Sequence, residues 1–276
     1  MAQKGGEINK NMIENQIFFR SDKNQITIPY SKCNFERKNE KYELDLYLLK
    51  AYLRFNCTVS GKVCTTLNAI TSGCGYSIKG NSKRANDKFR ELLLYLQGNR
   101  DIYCDKELET IKNSEYFELQ LASNDIFYCE KNFVNLTMEE YDRLIAAETP
   151  TGKNILLATY LCIKKNIYYN ADVPTPKLSI PSNDAIKNVL GVASVKTVKS
   201  AISDLQQLNM IYSNEVTYYY KDAKSDMYLP TRNVYALDRG ELKRTKEALA
   251  EFYQVNYIYT ASEIDTGKIV YLKNKT

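Results

Sequence analysis

Apolar residues after Tyr42 recur at Leu44, Leu48, Leu49, Tyr52 and Phe55, the i, i+4, i+5, i+8, i+11 spacing of a helix with one buried face. Thr65 then reads as an N-cap for a short helix carrying Leu67 and Ile70 and ending at Gly73 and Gly75. Ser82 opens a third helix with the stripe Ala85, Phe89, Leu92, Leu93 and Leu96, and Gly98 stops it. Strands are expected at Ile102–Cys104, Phe117–Leu121 and Ile126–Cys129, the last two joined by the polar turn Ala122 to Asp125.

The same order recurs downstream. A helix is predicted from about Lys153 to Lys165, followed by the Pro-punctuated stretch Val173 to Pro181, which prolines keep extended. Ser182 caps a short helix through Ile186 and Leu190 that Gly191 stops. Ser194 caps a third, with Val198, Ala201, Ile202, Leu205 and Leu208 as its stripe. Ile211–Tyr220 and Met227–Leu237, joined by a turn at Lys221 to Asp226, predict a hairpin, and Glu241–Tyr253 a last amphipathic helix. The repeat lies in the pattern, since Leu44 and Ile155 begin matching helices, as do Ser82 and Ser194.

Charge follows this layout. Residues 51–100 hold eight basic and two acidic side chains, residues 101–150 four and twelve, residues 151–200 seven and two. The net +5 is thus basic, acidic and basic again. The 276 residues contain no His, which removes imidazole base catalysis, Ser-His-Asp and Cys-His triads and His-containing zinc sites. It also removes the histidine-held metal of rolling-circle initiators and relaxases, despite 23 Tyr. The P-loop pattern is missing, because Gly61-Lys62 and Gly152-Lys153 lack the upstream glycine. The expectation is a protein without enzymatic activity, cofactor or metal. The seven Cys never form CxxC and read as buried free thiols of a reducing cytoplasm. Met1–Gln16 has no apolar signal core, and the longest apolar run, Ile155–Ile163, is about half a membrane span, so no membrane partner is expected.

Helix, short helix, turn, longer helix and hairpin is the layout of a winged helix-turn-helix, whose third helix enters the major groove. With its stripe buried, the Ser194 helix turns Lys196, Lys199, Ser200 and Ser203 outward, with Ser194 and Thr197 in its first turn. Such residues suit phosphates and base edges. The wing adds Lys221 and Lys224 beside Asp222 and Asp226, with Arg232 further on. In the first copy Lys83, Arg84, Lys88 and Arg90 crowd the third helix and Lys79 precedes it, whereas residues 101–130 carry eight acids that would repel phosphates. That first unit accordingly reads either as a partial DNA contact or as an assembly module. Tyr218-Tyr219-Tyr220 reads as a strand with rings on alternate faces rather than as a stacking platform for single strands.

The expected fold is α+β: two tandem winged helix-turn-helix domains with a C-terminal helix. Residues 1–25 form an arm, 26–130 the first domain, 131–150 an acidic connector, 151–240 the second domain, and 241–276 a C-terminal helix and tail. The run Ser194 to Leu205, the tandem layout and the lead-in from Ile17 to Pro29 resemble replication initiators of plasmids and replisome organisers of phages from low-GC Gram-positive bacteria. That resemblance implies binding to repeated duplex-DNA sites at an origin, recruitment of host replication proteins, and self-association through the first domain, as in a dimer. A transcriptional regulator of a mobile element, or a winged-helix adaptor that binds proteins, are the alternative readings.

Overall fold

The computed structural model describes residues 25–29, 43–78, 82–122, 133–167, 177–225 and 227–264, and every structural statement below concerns these. The chain divides into two units, Met1–Ala158 and Thr159–Thr276. Helices and small antiparallel sheets are mixed in both, so the class is α+β.

In the first unit, β1 (Gln25–Pro29) precedes α1 (Glu43–Phe55), β2 (Lys62–Thr65), α2 (Leu67–Gly73) and α3 (Ser82–Gly98). Then come β3 (Ile102–Cys104), β4 (Phe117–Leu121), β5 (Phe133–Thr137) and α4 (Met138–Ala146). Helix α5 (Lys153–Lys165) crosses the division. The second unit continues with β6 (Leu178–Ser179), α6 (Asn183–Leu190), α7 (Val195–Gln207), β7 (Tyr212–Ser213), β8 (Tyr218–Lys221), β9 (Tyr228–Pro230) and β10 (Tyr235–Ala236). A 3-10 turn, Arg239–Arg244, leads into α8 (Thr245–Tyr253), and β11 (Tyr259–Thr260) follows.

The two units share their helix stops. The Thr66 hydroxyl accepts from the Ala69 N–H at the start of α2, and Ser182 accepts from Ala185 at the start of α6. Gly75 and Gly191, at φ +77° and +61°, end those helices in the left-handed region where glycine meets no Cβ penalty. Tyr76 then donates back to Thr71, and Val192 to Lys187, the wide bond of a Schellman stop. The third helices end alike: Asp101 donates to the Leu96 carbonyl and Met210 to that of Leu205, after Arg100 and Asn209 at positive φ. The strand order matches too. In β2-β4-β3 and in β6-β10-β7, the returning strand lies between the strand before the helix pair and the strand after it.

Several expectations are corrected. The cap of α2 is Thr66, because Thr65 is the last residue of β2 and pairs with Phe117. Strand β4 has β2 on one edge and β3 on the other, while the strand expected at 126–129 lies outside the described residues. The second-unit hairpin is broken in two: β7 and β10 lie in one sheet, β8 and β9 in another, with β11 as a third strand on the free edge of β8. Asn214 makes the bend, its carboxamide oxygen accepting from the Val234 N–H at 2.8 Å and its amide donating to the Val216 carbonyl at 2.6 Å.

The stretch expected as an acidic connector belongs to the first unit. Strand β5 pairs along its whole length with β1, and α4 starts on a capping box between Thr137 and Glu140. Tyr141 is buried, its ring 5.4 Å from that of Phe55 and its hydroxyl donating to the Gly73 carbonyl at 2.9 Å. The paired acids Glu139 and Glu140, which read in the sequence as a helix N-terminus, sit in the first turn of α4, where the helix dipole favours them. The thiols of Cys57, Cys74 and Cys162 are buried, while Cys64 and Cys104 are only half-buried; Cys33 and Cys129 lie outside the described residues. No described helix is long and apolar enough to cross a membrane.

Candidate nucleic-acid interface

Helix α7 contains four β-branched residues in thirteen, Val195, Thr197, Val198 and Ile202, so intrinsic propensity holds it weakly. Packing and capping compensate. Val198, Ala201, Ile202 and Leu205 are buried, with Val198, Ile202 and Leu205 each contributing roughly 1.5–3 kcal/mol. The Ser194 hydroxyl accepts from the Lys196 N–H at 3.0 Å, closing the first turn. Only Gly191 to Ser194 separate α6 from α7.

With that stripe inside, Lys196, Lys199, Ser200 and Ser203 are exposed along one face, and Ser194 and Thr197 are half-buried beside them. The ammonium groups of Lys196 and Lys199 have no hydrogen-bond or ion-pair partner among the described residues. Asp204, by contrast, points inward at 5% exposure, and one of its carboxylate oxygens has no protein partner.

The distal hairpin carries Lys221 and Lys224, both exposed, at its tip. Asp222 does not oppose them freely, since its carboxylate accepts from the Ser225 N–H and hydroxyl at 2.9 and 2.7 Å, which hold its pKa below the usual carboxylate range. The tyrosine rings beneath are engaged by the protein itself. Tyr219 is buried, and Tyr220 stacks on Tyr253 at 4.3 Å and 18°. Tyr218 packs on the cluster of Leu178, Val234 and Leu249. Arg232, at the base of this hairpin, donates its backbone N–H to the Tyr253 hydroxyl at 3.0 Å and holds its guanidinium 5.2 Å over the Phe252 ring.

The corresponding helix of the first unit presents different chemistry. Lys88, expected to face outward, turns inward: its ammonium lies 3.1 Å from the buried Asp45 carboxylate and 3.7 Å over the Tyr76 ring. The Tyr76 hydroxyl also donates to Asp45, and burial together with that carboxylate raises its pKa far above the ordinary phenol value. Arg90 is likewise directed at the protein. It donates to the carbonyls of Leu108 and Ile111, the latter at 2.8 Å, and to the Asn113 side chain at 3.2 Å, pinning the β3–β4 loop. Both flank the apolar stripe of α3, so their long stems run along it to acceptors a helical wheel does not show. The exposed positions described on α3 are Arg84, Asp87, Glu91, Tyr95, Gln97 and Gly98. Lys79 and the side chain of Lys83 lie outside what the structure describes.

The acidic loop of the first unit is partly neutralised from within. Glu118 pairs with Lys62 at 2.7 Å and Glu115 with Lys106 at 2.8 Å, while Asp105 accepts from the Glu118 N–H. Glu107 and Glu109 stay exposed. No protein-family model matches this chain, and no curated protein matches it.

Proposed function

We propose that the second unit is a winged helix-turn-helix that binds duplex DNA sequence-specifically, with α7 in the major groove and the Lys221–Lys224 tip on the flanking backbone. One observation carries this reading: the ammonium groups of Lys196 and Lys199 are exposed, without a partner among the described residues, on the same face as Ser200 and Ser203, on a helix entered by a four-residue turn. A solvated helix without such a role would show the same exposure, but not the short turn and matched strand order together. The first unit repeats the topology without the charge, since Lys88 and Arg90 are engaged inside and Asp87 and Glu91 face out. Its α3 is therefore proposed to stay out of the groove, leaving Arg84 as an edge contact.

Within DNA-binding proteins the favoured reading is a plasmid or phage replication initiator, resting on the resemblance of Ser194–Leu205 and the tandem layout. Self-association through the first unit and recruitment of host replication proteins belong to that reading. Fluorescence anisotropy with random-sequence and selected duplexes tests it. Four lysine contacts predict a slope of log affinity against log salt of roughly −4. Lys196→Glu with Lys199→Glu should abolish selective binding while the fold is retained. A protein adaptor would bind duplex no better than the double variant does.

A further inference from the structure

We propose that the second unit holds a binding site for an amphipathic organic anion, in the cavity between α5, α6, β6 and α8. The cavity measures about 670 Å³, within the range of about 300–1,000 Å³ usual for small-molecule sites. Its lining is chiefly apolar, with Ile180 ahead of α6, Ile186 and Val189 from α6, and Phe252 from α8. Phe252, on this lining, is 45% exposed and offers part of its ring to a ligand.

The charge on the lining selects the ligand. Lys165 and Arg232 supply two cations, against the carboxylate of Glu251. Arg232 is positioned rather than loose: the Tyr253 hydroxyl holds its backbone and the Phe252 ring its guanidinium. Yet that guanidinium has no acceptor among the described residues, so its fork of donors is open to a carboxylate. The Glu251 carboxylate likewise has no side-chain partner there and disfavours a second negative group. The fitting ligand therefore has one anionic head, met by Arg232, and an apolar body lying against Ile186, Val189 and Phe252. Because Val189 stands two residues before Gly191, an occupant lies beside the turn that leads into α7. That last consequence rests on the DNA reading, whereas the binding itself is measured without DNA, so the two fail separately.

The test is calorimetric titration of the full chain with decanoate, decanol and decanedioate. Decanoate should bind saturably, one per chain, and decanol and decanedioate at least tenfold more weakly. Arg232→Gln should weaken decanoate at least tenfold with the melting temperature unchanged. Val189→Trp should fill the cavity and abolish binding; in a chain without other tryptophan its emission also reports whether the ring is buried. Absence of saturable binding, equal affinity for decanoate and decanol, or indifference to Arg232→Gln would each overturn the proposal. Where Val189→Trp does not fold, the Arg232→Gln comparison decides alone.

Discussion

Arg90→Met separates an inward role from an outward one. The change keeps the apolar stem and removes the guanidinium that bonds Leu108, Ile111 and Asn113. A hydrogen bond from a charged donor contributes about 1.5–3 kcal/mol, and the site is half-buried, so the three together are discounted to roughly 3 kcal/mol. For a unit of this size each kcal/mol moves the melting temperature by about 2–4 °C, which gives a fall of roughly 9 °C. Arg90→Lys should recover little of it, because an ammonium cannot span two carbonyls as the planar fork does. Circular dichroism on heating reads the stability, and anisotropy below the transition reads duplex affinity, which should stay within twofold of wild type. A variant that melts like wild type and binds duplex weakly would place Arg90 on DNA and refute the inward assignment.

Lys88→Met should cost roughly 2–4 kcal/mol in urea unfolding, because among the described residues the buried Asp45 keeps only the Tyr76 hydroxyl; a loss under 0.5 kcal/mol would mean the pair does not hold the first unit. Ser194→Ala removes the cap of α7 and should destabilise the second unit by about 1 kcal/mol, read in the same way. Glu263 accepts from the Thr260 N–H and hydroxyl, Lys246 and Tyr257, which bring its pKa down from 4.5 to about 2. A depressed carboxylate stabilises above its ordinary pKa and loses that contribution as pH falls through the lower value. Glu263→Gln should therefore lower the melting temperature at pH 7, with the gap closing between pH 4.5 and 2; a gap that is constant with pH contradicts this origin.

The helices were legible because their signals are local. Ser182, Gly191 and Ser194 occupy the cap and stop positions their side chains and φ angles suit. Strand pairing was less legible, since neighbours are set by distant residues. β2 and β11 are short and lack a run of alternation, and β4 takes both its partners from earlier in the chain. Net charge misled on the third helix of the first unit. Lys88 and Arg90 suggested a DNA face where they meet Asp45 and loop carbonyls, whereas Glu139 and Glu140 read as a helix start and occupy one. A composition count cannot separate such roles, because the acceptor lies elsewhere in the sequence. On α7 the same kind of count agrees with the structure, as Lys196 and Lys199 stand opposite a continuous buried stripe.

The most direct measurement is a hydroxyl-radical footprint of the full chain on duplexes it selects from a random pool, with the number of bound chains fixed by sedimentation. One reading helix per chain predicts protection of about one helical turn, roughly 10 base pairs, for each chain bound, lost in the Lys196→Glu, Lys199→Glu variant. Protection of two turns per chain, or a footprint that survives that variant, would contradict it.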